Sequence, residues 1–140
     1  MLNPNVPNGT AREIASAVLK YAKIYHRDPD LILPVMRVES NFDLEAISKM
    51  GAVGLMQIMP YWVDVLDIQC DLKNPDCSTR YGLQILGTYE KIYGGLDLAL
   101  TVYNRGAGPV DSALMRCKDP DNGYADEVRT VYNRLQGMNS

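Results

Sequence analysis

Apolar residues recur along this chain at intervals of three and four, the spacing that lines one face of a helix. Ile14, Val18, Tyr21 and Tyr25 form the first such stripe, after Thr10-Ala11-Arg12-Glu13, a pattern that reads as a capping box. A second helix is predicted from the N-cap Asp28 and Pro29 through Glu39, with Pro34 inside it removing one hydrogen bond. A short helix follows over Pro60 to Leu66. Then comes a long one capped by Ser78, with Tyr81, Ile85, Leu86 and Tyr89 inward and Gly94-Gly95 as its stop. Leu96 to Asn104, Pro109 to about Arg116, and a last stretch with Tyr124, Val128, Val131, Tyr132 and Leu135 complete the set. No alternating apolar-polar run of useful length occurs, so strands are not expected. The pattern predicts an all-α fold in a single domain.

Between the second and third helices lies Glu39 to Pro60, ESNFDLEAISKMGAVGLMQIMP, which has a different character. It starts with a carboxylate at the end of an apolar helix, passes two glycines, Gly51 and Gly54, and closes in a tight apolar block. A carboxylate on a mostly buried helix is costly unless paired or protonated. A carboxyl that keeps its proton near neutral pH is what general acid catalysis needs. Taken alone, a Glu-Ser pair at a helix end is more often a solvated surface feature.

The block that follows changes this. Glu39-Ser40, Ser48, Gly51-Ala52-Val53-Gly54-Leu55-Met56-Gln57-Ile58-Met59-Pro60 and Val102-Tyr103-Asn104 stand in the order of a known pattern. From about Asp28 to Tyr132 the chain resembles the lytic transglycosylase family, with its soluble-lytic-transglycosylase catalytic domain and goose-lysozyme-like fold. The resemblance implies a single lysozyme-like helical domain with a substrate groove. It implies an enzyme that cleaves the β-1,4 bond between N-acetylmuramic acid and N-acetylglucosamine of peptidoglycan, forming a 1,6-anhydro ring. Glu39 would serve as acid and then base. Ser48, Gln57, Met59, Tyr103, Asn104 and Tyr124 would bind the glycan strand: Gln57 holding a sugar, Met59 packing on its plane, Tyr103 and Asn104 flanking Glu39, and Tyr124 lining the groove. The family's Ala-Tyr-Asn appears here as Val102-Tyr103-Asn104, which implies modest repacking. The family's usual Asn is Ser78 here, a departure that bears on loop anchoring.

Composition narrows the partners. The net charge of −3 gives no basic patch for nucleic acid. It also offers no bulk attraction to an anionic surface, so wall binding must come from a shaped groove. No apolar run is long enough to span a membrane. No cofactor is expected, and a single His with three cysteines in these spacings does not make a zinc site. His26 reads as structural, and Trp62 as either a core anchor or a sugar platform. Cys70 and Cys77 bracket a turn-forming loop and could be bridged or reduced; Cys117 would then be free.

Residues 1–9, with Pro4, Pro7 and Gly9, read as a flexible arm before a catalytic domain over 10–140. The N-terminus lacks the charged and apolar regions of a signal peptide. The expectation is a monomer acting at the bacterial cell envelope, either phage-encoded (an endolysin or virion-associated lysin) or with its signal removed. Two alternatives stay open. A hydrolysing lysozyme would need a second carboxylate, for which Asp43 or Glu45 could be argued. A wall-binding structural module would need none.

Overall fold

The structure is a computed structural model and describes residues 3–138. Seven helices account for its regular elements: α1 (Asn8–Ile24), α2 (Pro29–Ser40), α3 (Pro60–Val65), α4 (Pro75–Tyr93), α5 (Leu96–Arg105), α6 (Ala107–Met115) and α7 (Tyr124–Met138). The only β pairing among the described residues is two isolated bridges, Ile47 with Val53 and Val53 with Ile58. The all-α expectation holds.

Local chemistry explains most of the boundaries. Asp28 accepts the Asp30 N–H and Pro29 opens α2, as the sequence predicts. α1 departs from expectation. It begins at Asn8 with Pro7 as N-cap and no side-chain cap bond, so the Thr10–Glu13 capping box does not form. Of the expected arm, Asn8 and Gly9 belong to α1 and Val6 packs on the core, while residues 1–2 lie outside the described residues. α4 also starts earlier than predicted. Asn74 caps it by accepting the Asp76 and Cys77 N–H groups, and Pro75 takes the first helical position. Ser78 lies one turn inside that helix, fully buried.

α2 packs against α1 and α7, while α4 packs against α1 and α5, and α5 also meets α6 and α7. Ile14, Val18, Ile32, Val35, Met36, Leu86, Leu100, Val102 and Val128 are all nearly solvent-free at the shared centre. Pro34 is buried and α2 runs unbroken through it. α2 is thus wrapped on several sides, and Glu39 sits one residue from its C-terminal end.

Cys70 and Cys77 are joined by a disulfide that ties the stretch after α3 to the first turn of α4. Cys117 is free and exposed. No helix among the described residues is long and apolar enough to cross a membrane.

Candidate active site

The segment between α2 and α3 folds into a compact loop whose own backbone does much of the work. Val53 and Ile58 exchange both backbone hydrogen bonds, at 3.0 and 3.1 Å, and Gln57 N–H reaches Gly54 O. Gly54 has φ of +80°, and a Cβ there would lie 2.3 Å from the Leu72 carbonyl oxygen. Both facts require glycine.

Three side chains from different helices then clamp this loop. Ser40 Oγ donates to Leu55 O at 2.9 Å. Tyr103 Oη donates to Met56 O at 2.6 Å. Ser78 Oγ accepts the Met56 N–H at 3.1 Å, so this position anchors the loop, in keeping with the expectation attached to it. Buried backbone groups left unpaired would be costly, and these bonds satisfy them.

The clamped loop forms one wall of a groove of about 770 Å³. α3 contributes Tyr61 and Trp62, and α5 with the turn after it contributes Tyr103, Asn104, Arg105 and Gly106. Glu39, Ser48, Gln57, Met59, Tyr103 and Asn104 all line this space, so the fold brings six of the seven sequence-predicted residues together. Tyr124 differs. It is buried and not on the groove wall, and it acts on Glu39 from α7.

The polar details refine the expected roles. Ser48 Oγ accepts the Ala52 N–H at 3.0 Å and so braces the loop. Gln57 Nε2 is used twice by backbone, on Ala46 O and Gly54 O, at 3.1 and 3.0 Å. Its oxygen remains as the end able to accept from a ligand. Val102 is fully buried, as the larger residue in the family motif requires.

Glu39, at the end of α2, meets Asn104 of α5 and Tyr124 of α7. Burial pushes its carboxyl up to about 7; the hydrogen bonds offered by Asn104 and Tyr124 act in the opposite direction and are outweighed. Asn104 Nδ2 donates to Glu39 Oε1 at 3.2 Å. The Tyr124 hydroxyl is buried beside the same carboxyl yet makes no hydrogen bond of ordinary geometry. The carboxyl also raises both Tyr103 and Tyr124 far above the usual phenol range, after burial itself, so neither phenol ionises at working pH.

Among the described residues, Glu39 is the only carboxylate that lines the groove. Asp43 and Glu45 are exposed and line a separate depression with Asn3, Val6 and Thr10. Asp43 caps the Glu45 N–H, and Glu45 pairs with Lys73 at 3.1 Å. Among the described residues, no cluster of three His, Cys, Asp or Glu side chains could hold a metal.

Some of the groove was not legible from motifs. Tyr61 lies against Trp62 with ring centroids 5.0 Å apart, and Trp62 meets the edge of Tyr89 at 5.7 Å. Tyr61 and Tyr89 share a hydroxyl-hydroxyl hydrogen bond of 2.9 Å. The half-buried Trp62 is therefore part of an aromatic wall open to the groove. The adjacency of Tyr61 and Trp62 is the sequence signal that could have raised it.

The groove thus combines one half-buried carboxyl, a clamped glycine loop and a Tyr-Asn pair on a helical scaffold. Residues 16–123 match the Transglycosylase SLT domain family, and the chain belongs to that family. It is 30% identical over 150 aligned positions to the membrane-bound lytic murein transglycosylase C of Mannheimia succiniciproducens, covering 94% of this chain and 40% of that protein. Its fold matches the lytic transglycosylase Slt of Pseudomonas aeruginosa, solved as an inactive mutant, with a TM-score of 0.69 and 25% identity over 89% of this chain and 24% of that one. The 70 kDa soluble lytic transglycosylase from Escherichia coli gives a TM-score of 0.70 at 21% identity, over 88% of this chain and 24% of that one. This chain thus spans well under half the length of these relatives.

Proposed function

We propose that this chain is a peptidoglycan lytic transglycosylase, with Glu39 acting first as general acid and then as general base. The observation that carries the reading is that one half-buried carboxyl, pushed up to about 7, is the groove's sole carboxylate among the described residues. A group that must both give and take a proton works best with a pKa near the working pH. In the first step Glu39 gives its proton to the glycosidic oxygen between N-acetylmuramic acid and N-acetylglucosamine as the C1–O bond breaks. The substrate's own acetamido group shields C1. In the second step the Glu39 carboxylate takes the proton of the C6 hydroxyl, whose oxygen bonds to C1 and closes the 1,6-anhydro ring. No water is consumed, and intramolecular attack gains from high effective molarity.

Asn104 and Tyr124 supply the donors that the carboxylate needs between the steps. The Gln57 oxygen accepts from a sugar, Met59 packs on the ring plane, and the Tyr61–Trp62 surface offers an apolar face to a neighbouring sugar. The catalytic domain is residues 10–140, acting as a monomer on glycan strands in the cell envelope. A phage-encoded lysin and an exported enzyme are both compatible with this site.

Digestion of purified peptidoglycan followed by mass spectrometry of the soluble muropeptides tests the reading. Products ending in 1,6-anhydro-muramic acid are expected. Reducing-end products, heavier by one water, would identify a hydrolysing lysozyme instead. No release of soluble fragments would leave a wall-binding module.

A further inference from the structure

Asn104 presents a side-chain amide to Glu39, and an amide has two ends of opposite character. With Nδ2 toward the carboxyl it donates and favours the ionised form; with Oδ1 toward it, it accepts and favours the protonated form. Something must decide which end faces the acid. The neighbouring bonds supply the answer. Asn104 Oδ1 accepts from Asn122 Nδ2 at 3.0 Å. Asn122 Oδ1 in turn accepts the Tyr124 backbone N–H at 3.2 Å. A backbone N–H can only donate, so Asn122 must turn its oxygen to Tyr124 and its nitrogen to Asn104. Asn104 must then turn its oxygen to Asn122 and its nitrogen to Glu39. The orientation of the whole chain of bonds is fixed at its far end by a group that cannot be reversed.

We propose that Asn122 is a positioning residue that sets which end of the Asn104 amide faces Glu39, so that the site's carboxyl meets a donor. The proposal rests on the reading of Glu39 as the acid and base. Asn122 does not touch the groove; it acts through Asn104. Its loop is built to hold it. Arg105 Nη1 donates to Pro120 O at 2.7 Å, and Asp119 and Asp121 accept the N–H groups two residues on, at 3.0 Å each. Tyr103 from α5 and Tyr124 from α7 are the titratable groups that act on Glu39. Tyr61, Tyr89 and Arg105 share the groove with it.

Asn122 also caps the start of α7 by accepting the Tyr124 N–H. The variant Asn122→Asp separates the two roles. Its carboxylate still accepts the Tyr124 N–H, so the cap survives, but its second oxygen faces Asn104 and demands a donor. Asn104 turns over and presents Oδ1 to Glu39.

The measurement is the titration of the Glu39 side-chain carboxyl by carbon-13 NMR, in the full chain without substrate. It reads the coupling whether or not the enzyme is a transglycosylase. Burial holds the wild-type carboxyl up at about 7, where its titration is expected. Asn122→Asp is expected to raise this by about one pH unit, since a hydrogen bond to the ionised form has become one to the protonated form. The alkaline fall of kcat/KM moves up with it. The added charge would also raise the value, but through exposed residue 122, and about 0.5 M salt screens that part and leaves the amide's effect. Asn122→Ala, which adds no charge and frees Asn104, is expected to raise it by a smaller amount and decides the matter if the Asp variant does not fold. An unchanged titration, or a rise in Asn122→Asp that salt abolishes, overturns the proposal. Loss of activity in Glu39→Gln is a separate test, and its failure would strike the function reading instead.

Discussion

Tyr103 Oη donates to the Met56 carbonyl at 2.6 Å, joining residues 47 apart in sequence. The phenol therefore spends its proton on the loop, not on Glu39, although it lines the groove. Tyr103→Phe keeps the ring and deletes the bond, leaving a carbonyl that must find water or stay unpaired. A loss of about 1–2 kcal/mol is expected. The melting temperature should fall by about 4 °C, with a drop in kcat as the loop loosens. An unchanged melting temperature would show that the loop does not depend on this clamp.

Gly82 on α4 faces the same loop residue from the other side. A Cβ at Gly82 would lie 2.7 Å from Met56 Cβ, closer than side chains tolerate. Gly82→Ala is expected to destabilise by about 1–2 kcal/mol, overpacking outweighing the gain in helix propensity. One turn further on, Gly87→Ala meets only Arg27 Nη2 at 3.8 Å, an ordinary contact. That control should stabilise by about 0.5 kcal/mol. Denaturant melts of the pair give opposite signs if the packing is as described.

The raised Glu39 carboxyl makes stability depend on pH. Its ordinary value is 4.5 and the folded value is about 7. Below 4.5 both folded and unfolded chains hold the proton and the group contributes nothing. Between the two values the unfolded chain ionises first. Above 7 the folded chain carries a half-buried charge, at a cost of about 2–3 kcal/mol. Wild type should thus lose stability relative to Glu39→Gln as pH rises from 4.5 to 7. Equal differences at pH 4 and pH 8 would contradict the burial argument.

Activity should follow the same group. The first step needs the protonated acid, so kcat/KM is expected to fall as pH rises through about 7. Glu39→Gln should lower lysis by about a thousandfold or more while leaving sedimentation with insoluble peptidoglycan intact. Lysis that survives the swap would remove Glu39 from its role.

The Cys70–Cys77 disulfide closes a short loop before the residue that anchors Met56. Its removal by the double change Cys70→Ser and Cys77→Ser should cost about 2 kcal/mol, the chain-entropy value for so small a loop. Reductant should lower the melting temperature of wild type and leave the double variant unmoved.

Helix periodicity and the Glu39–Pro60 motif made most of this architecture readable, because both depend on nearby residues alone. The failures were contests between neighbouring candidates. Thr10 and Glu13 match a capping box, but Pro7 had already set the backbone for a helix from Asn8. Ser78 is a good N-cap residue, yet Asn74-Pro75 offers a better start, and burial then gave Ser78 to the loop. Tyr124 came with the right residue type and helix but not its depth, which depends on how α7 lies against α2. The Asn104–Asn122 bond and the aromatic wall are long-range pairings, and no local pattern announces them.

The place of Glu39 in α2 carries one more consequence. It is the penultimate residue of that helix, whose peptide dipoles gather a partial negative charge at this end. The acid's proton is therefore kept partly by the direction in which the chain was threaded. The field at this terminus is worth about 0.3–1 kcal/mol against ionisation. The same carboxyl set on the first turn of α2, with equal burial, would feel the opposite field and release its proton sooner. Chain polarity, fixed as the peptide is made, is in this sense a part of the acid.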